Sequence, residues 1–228
     1  MTSTDLKTSD ISIIIPTFNE ERHIDALADS LQSCEVIIVD GGSSDRTVLF
    51  ARKRGLHVEQ CPGGRAAQLN YGAARAAGRV LLFLHADTLL PEDFAVPLLQ
   101  ALADRDVVAG AFSLSIQGAG PALRFIALAA NIRSRLLQLP YGDQGIFIAS
   151  DQFQRFGGFP EIPIMEDLAF IRKAGALGKI RILPQCVRTS ARRWQRLGVV
   201  RTTLINQLMI LGFILRIPPE RLASLYRR

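Results

Sequence analysis

Short, unbroken apolar runs rich in β-branched residues recur along the first part of this 228-residue chain, and stretches with helical spacing separate them. Residues 11–15 (Ile-Ser-Ile-Ile-Ile), 36–39 and 80–84 read as strands buried on both faces. A weaker strand is expected at 57–60, and helices at 20–31, 44–54 and 65–77, with Ser44 and Asp45 placed to cap the second. Such alternation predicts right-handed crossovers and an α/β fold: a doubly wound, mostly parallel sheet flanked by helices. Ligands of such sheets lie beyond the carboxyl ends of the strands. After Pro91 the pattern becomes mixed. It predicts a helix to about residue 103, a strand over 107–116, a helix over 121–137 and a strand over 146–149. A helix over 166–176, a strand over 180–183 and one or two helices around Pro218 and Pro219 complete the chain.

The composition, 48% hydrophobic and 21% charged, is that of a globular chain with a substantial core and excludes disordered, collagen-like and coiled-coil classes. Three separated cysteines, with no C-x-x-C pair, suit a reducing compartment. The start of the chain lacks the basic and apolar segments of a secretory signal, so a cytoplasmic location is expected. Charge is unevenly distributed. Residues 1–170 hold 14 basic and 20 acidic side chains, whereas residues 171–228 hold 13 and 1.

The expected strands end in polar residues. Strand one runs into Pro16-Thr17-Phe18-Asn19-Glu20, strand two into Asp40-Gly41-Gly42-Ser43-Ser44-Asp45, and the 80–84 strand into His85-Ala86-Asp87. Gly41 allows close backbone approach to a ligand. Asp40 suits hydrogen bonds to a base or ribose, and equally a βα turn with a helix cap. Neither a dinucleotide nor a P-loop glycine pattern follows the first strand, which counts against oxidoreductases and ATPases. A carboxylate at a strand end, such as Asp87, can hold a hard divalent cation that bridges a diphosphate, or cap the following turn.

Residues 13–20, 39–45 and 83–88 together resemble the successive nucleotide-sugar motifs of family 2 glycosyltransferases of GT-A fold. Gly64-Arg65 with Asn70 and Gly72, His85-Ala86-Asp87, Gly142-Asp143-Gln144-Gly145 and Met165-Glu166-Asp167 are similar to a compact bacterial subgroup labelled arsenosugar-type. The resemblance covers about residues 11–197. It implies hexosyl transfer with inversion, from a UDP- or GDP-linked sugar to a small-molecule or lipid hydroxyl. Pro16, Thr17, Asn19 and Glu20 would line the nucleotide pocket, with Asp40 and Gly41 at the base. Arg65, Asn70, Ala86 and Asp87 complete the donor side, and Asp87 would bind Mn2+ or Mg2+. The family's first metal-motif aspartate is here His85, a second candidate ligand that suits Mn2+ better than Mg2+. Asp167 would be the general base, since an attacking hydroxyl must lose its proton, although capping of its helix is the plain alternative.

Arg192-Arg193-Trp194 is similar to a relaxed form of the family's Q-x-x-R-W segment, with Ser190 replacing the glutamine. Its arginines would neutralise the departing diphosphate, or equally form a solvated basic loop. On the acceptor side stand Asp143, Gln144, Gly158, Glu166 and Trp194; a turn explains the first two equally well, and Trp194 either stacks on a sugar or packs. Arg124, Arg133 and Arg135 are expected on a solvated helix face. Residues 1–10 read as a polar tail and 11–197 as one catalytic domain, with a nucleotide half to about 90 and an acceptor half beyond it. Residues 198–228 read as a basic, apolar-striped helical segment, open to core packing, homodimerisation or membrane-surface contact. Two other readings are a nucleotidyltransferase, which normally opens with a glycine-rich basic loop absent here, and a non-catalytic membrane-surface protein. Nucleic acid is not expected as a partner, since aromatics are 7% and no recognition motif occurs.

Overall fold

A computed structural model describes residues 7–31, 34–118 and 120–226. Residues 1–6 of the expected polar tail therefore lie outside the described residues, and residues 8–10 form a single 3-10 turn. The strands are β1 (Ile11–Thr17), β2 (Glu35–Asp40), β3 (His57–Gln60), β4 (Val80–Phe83), β5 (Thr88–Leu89), β6 (Val107–Ile116), β7 (Ile146–Ala149) and β8 (Lys179–Thr189). The helices are α1 (Ile24–Ser30), α2 (Thr47–Lys53), α3 (Arg65–Ala73), α4 (Ala95–Ala103) and α5 (Pro121–Leu137). They continue with α6 (Ser150–Arg155), α7 (Glu166–Gly175), α8 (Arg192–Leu197), α9 (Val199–Ile214) and α10 (Pro219–Tyr226).

Among the described residues the strands form one sheet in the order β3-β2-β1-β4-β7-β6-β8-β5. The first four are mutually parallel, β7 runs antiparallel to both its neighbours, β8 is parallel to β6, and β5 is antiparallel to β8. The chain leaves β1 toward β2 on one side and returns to β4 on the other. That reversal opens the crevice in which doubly wound sheets take ligands.

Both sheet faces are covered. On one, α1, α2, α4 and α5 pack with Ile13, Ile15, Leu82, Phe94 and Phe112; on the other, α3, α6 and α7 pack with Ile14, Leu81, Phe153 and Phe170. The second layer contains Phe83, Phe153, Phe159 and Phe170 with ring centroids 4.6–5.5 Å apart where they touch. Asn131 of α5 pins its helix to β6, accepting from the Leu114 amide (2.7 Å) and donating to the Leu114 carbonyl (2.9 Å).

The structure differs from the sequence expectation in four elements. The strand expected over 180–183 continues to Thr189, because Pro184 and Gln185 are absorbed in a bulge: Leu183 faces Phe112 and Cys186 faces Ser113. A proline lacks the ladder donor and so reads as an end, but a bulge accommodates it. The short α6 and the two-residue β5 had no sequence signature. Finally, α2 begins at Thr47 rather than Ser44. Asp45 accepts from the Thr47 amide at 2.9 Å, while the Ser44 amide and hydroxyl turn to Asn19.

Candidate active site

Two loops leave adjacent parallel strands and are tied together by their own side chains. Asn19, with φ of 57°, accepts at Oδ1 from the Ser44 amide (2.9 Å), and its own amide donates to Ser43 Oγ (2.9 Å). Asp40 is 1% exposed, and its carboxylate accepts from the Gly42 and Ser43 amides (2.9 and 2.8 Å), Ser43 Oγ (2.5 Å) and Thr17 Oγ1 (3.2 Å). In this structure Asp40 is thus committed to the turn. Pro16, Thr17 and Ala86 are buried, so what they offer a ligand is backbone and shape. Gln68, which sequence reasoning did not single out, is buried in α3 and donates to the carbonyls of Thr17 (2.9 Å) and Val39 (2.7 Å). A Cβ on Gly41 would come within 3.0 Å of its amide, which is why glycine sits there.

At the end of β4, Asp87 is partly exposed, and among the described residues nothing donates a hydrogen bond to its carboxylate. Arg192 Nη2 lies 3.9 Å away, and the guanidinium makes a two-pronged bond to Glu20, from Nη2 at 2.8 Å and from Nη1 at 3.0 Å. The extension of β8 past Leu183 delivers Arg192 here: Thr189 pairs with Thr88, and the Ser190 amide donates to the Asp87 carbonyl (3.0 Å). Burial and the charge of Glu20 raise the Asp87 carboxyl above its ordinary range, against the pull of Arg192 and His23.

A second cluster lies where α3, α7 and the Gly142–Gln144 3-10 turn meet around a narrow cavity. Arg65, at the first turn of α3, pairs with Glu166, which is 2% exposed, and its Nη1 lies 3.2 Å from His85 Nε2. Burial, and then the Arg65 charge, push the His85 imidazole down to about 3, so the ring is neutral and Nε2 accepts from the guanidinium. Asp167 Oδ2 accepts from the Gly142 amide at 2.7 Å, and its Oδ1 from the Leu168 amide at 2.8 Å. A Cβ at Gly142 would stand 2.9 Å from His85 Nε2 and 3.0 Å from Asp167 Oδ2, so glycine alone permits this approach. Beside them, Asp143 Oδ1 is buried without a hydrogen-bond partner among the described residues, and burial raises its carboxyl to about 6.

Arg133 corrects one expectation: it lies 3.5 Å over the Tyr141 ring, with Nη2 on Gln144 Oε1 (3.2 Å), and burial lowers its pKa. It belongs to this cluster and not to a solvated face; Arg135 donates to Ser113 Oγ (3.0 Å), and Arg124 is exposed as expected.

Several sequence candidates turn away from the crevice. Asn70 is taken up by the Phe159 backbone, donating to its carbonyl (2.8 Å) and accepting from its amide (2.9 Å). Gly158, with φ of 71°, lies so close that a Cβ would sit 2.6 Å from Asn70 Oδ1; it serves that clamp. Gln144 is fully buried, accepting from Ser134 Oγ (2.7 Å) and donating to the Phe112 carbonyl (2.9 Å). Arg193 stacks 3.7 Å over Tyr226. Trp194 packs on the core layer of α1, α4 and α5. Asn70 and Gln144 are satisfied inside the protein, whereas Arg193 Nε and Trp194 Nε1 are buried with no hydrogen-bond partner among the described residues.

Metal ligation needs converging donors, and among the described residues no three His, Cys, Asp or Glu side chains converge. His85 Nε2, the second candidate ligand, is engaged by the Arg65 guanidinium in this structure. Asp87 fits a divalent cation differently, as a single carboxylate that receives no hydrogen bond from the described residues, and the cation would complete its shell with diphosphate and water oxygens.

A sequence model of the family described as Glycosyl transferase family 2 matches residues 12–156. A PGL/p-HBAD biosynthesis glycosyltransferase of Mycobacterium tuberculosis is 40% identical over 94 residues, 36% of this chain and 36% of that protein. The 4,4'-diaponeurosporenoate glycosyltransferase of Staphylococcus haemolyticus is 32% identical over 101 residues, 39% of this chain and 27% of that protein. The chain thus spans about a third of the length of the curated relatives it matches. Among solved structures, the mannosyltransferase PcManGT of Pyrobaculum calidifontis with GDP-Man and Mn2+ aligns with a TM-score of 0.63 at 22% identity, covering 82% of this chain and 57% of that one. S. aureus TarS 1–349 with UDP-GlcNAc aligns at 0.62 and 21% identity, covering 79% and 58%. These likenesses establish a GT-A-type fold, and with the family match over residues 12–156 the chain belongs to glycosyl transferase family 2.

Proposed function

We propose that this protein is an inverting glycosyltransferase that moves a hexosyl group from a UDP- or GDP-linked sugar to a hydroxyl of a small molecule or lipid. The observation that carries the reading is the Asp167 carboxylate, held by the Gly142 amide at 2.7 Å on the wall of a cavity shared with Arg65, His85 and Glu166. A base fixed by a backbone amide, with its orientation set before substrate arrives, suits proton removal from an attacking hydroxyl. Asp87 and Arg192 lie at the strand ends on the donor side, one able to anchor a cation and the other a charged fork for phosphate oxygens.

In the transfer, the acceptor oxygen forms a bond to the anomeric carbon as the bond from that carbon to the β-phosphate oxygen breaks, its electron pair leaving on the diphosphate. The acceptor proton passes to Asp167. A cation held by Asp87 supplies positive charge to the diphosphate when bound. Arg192, released from Glu20, adds a second charge there, and Arg65 with neutral His85 lines the sugar side. Asn19, Asp40 and Gln68 shape the nucleotide cleft as a scaffold. The neighbours solved with GDP-Man and Mn2+ and with UDP-GlcNAc support the donor class and the cation. The motifs around Gly142 and Glu166 support the arsenosugar-type subgroup. Residues 11–197 serve as the catalytic domain, and 198–228 as an appended helical segment. The three free cysteines among the described residues suit a cytoplasmic place of action.

Calorimetric titration with UDP and with GDP in the presence of Mn2+ tests the donor site; no binding of either would sink the proposal. Asp167→Asn should bind nucleotide as the wild type does and transfer about 10²–10⁴-fold more slowly. Undiminished turnover would remove the assigned base.

A further inference from the structure

Helices α5 and α9 present their apolar residues on the wrong side. In α5 the inward positions are Leu123, Ala127 and Ser134, yet the opposite face carries Phe125, Leu128, Ile132 and Leu136 at 70, 56, 49 and 77% exposure. At about 100° per residue these four fall within roughly 80° of one another, diametrically across from the buried set. In α9, Thr202, Met209 and Gly212 face inward, while Val200, Leu204, Leu208 and Leu211 are 52–72% exposed. A helix on a water-facing surface normally shows the reverse pattern, and contiguous exposed apolar faces mark interaction surfaces. Ile126 and Ala130 of α5 and Val199 of α9 pack on the same core layer, so both stripes lie on one side of the sheet.

Charge selects the occupant. Neither helix contains an acidic residue, and Glu220 is the single acidic residue after position 170. Arg124 in α5, Arg201 in α9 and Arg216 and Arg221 just after it are exposed. A second copy packed on this face would set four arginines against four arginines with Glu220 as the one carboxylate that the chain after position 170 supplies. An anionic bilayer supplies both an apolar depth for the stripes and phosphates for the guanidinium groups, whose stems can lie along the apolar boundary.

We infer that α5 and α9 form the face by which this protein lies on an anionic lipid bilayer. No helix of the described residues is long and apolar enough to cross one, so the contact is interfacial. The inference stands apart from the transfer reading, because vesicle binding needs no sugar donor. Purified protein is sedimented with vesicles of phosphatidylcholine, and of phosphatidylcholine mixed with phosphatidylglycerol, at low and high salt. Binding is expected to the anionic vesicles at low salt, with the partition coefficient falling about fivefold for each arginine lost in Arg201→Gln and Arg221→Gln. Leu204→Ser with Leu208→Ser, at exposed positions that leave the melting temperature unchanged, should abolish pelleting. Wild-type protein that stays in the supernatant with anionic vesicles would overturn the inference. So would a lipid-free dimer, seen by light scattering, that the same leucine pair returns to monomer.

Discussion

The Asp143 carboxyl, raised to about 6 by burial, makes a pH signature that belongs to one residue. Its surroundings are Arg133 and Arg65, which lower it, and Asp167 and Asp87, which raise it. The folded value lies above the unfolded one of about 3.9, so the folded chain binds this proton more tightly. Its stabilising contribution is complete below the unfolded value and is lost as pH rises through the folded one. The wild-type melting temperature is therefore expected to fall between about pH 4 and pH 6 more steeply than that of Asp143→Asn. Superimposable profiles from calorimetry would show that Asp143 does not titrate there. Asn70 offers a simpler test. Its side chain makes both hydrogen bonds to Phe159, so Asn70→Ala should cost about 1–3 kcal/mol in denaturant unfolding. At this scale the sequence marked Asp87, Asp143 and Asp167 by residue type and motif. It did not mark Gln68, Arg133 or Tyr141, since a glutamine, arginine or tyrosine in a helix or loop carries no local sign of what it will face.

Helix α3 shows how an element translates packing into site geometry. Gly72 lies against β1 and β2 so closely that a Cβ would stand 2.5 Å from Ile14 Cγ2 and 2.9 Å from Val39 Cγ2. The helix seated by that contact carries Arg65 and Gln68 to the crevice and holds Asn70 on the Phe159 backbone. Gly72→Ala is expected to lift α3, lower stability by about 1–3 kcal/mol and weaken nucleotide binding with it. Gly64→Ala, where a Cβ would meet nothing within 4 Å, should change neither. Thermal melts and titrations on the two variants separate seating of the helix from mere loss of a glycine. The major elements were legible because periodicity reports burial: β1, β2, β4, β6 and β7 appear as apolar runs, and α5 spans the residues that its spacing predicts. The continuation of β8 was not legible, because only the pairing of Cys186 with Ser113 across the bulge shows that Pro184 does not end it.

Across the whole molecule, the Arg192–Glu20 contact joins positions 172 residues apart and closes the C-terminal segment over the first loop. Arg192 is about half exposed, so the pair adds little stability, on the order of 0–1 kcal/mol. Arg192→Ala should leave the melting temperature almost unchanged while raising KM for the sugar nucleotide; an equal loss of stability and affinity would mark the residue as a mere strap. The uneven charge of the chain takes its shape here as well. Arg192 turns to the crevice and Arg193 to Tyr226, while Arg201, Arg216 and Arg221 stay at the surface beside the apolar stripes. The order of strands and helices, the polar strand ends and the basic final quarter follow from the sequence by itself, because burial periodicity and charge are local properties that each segment carries wherever it goes. Which carboxylate receives no hydrogen bond, which arginine enters the crevice and which apolar faces stay uncovered were decided only by the tertiary structure, because each depends on neighbours brought from distant parts of the chain.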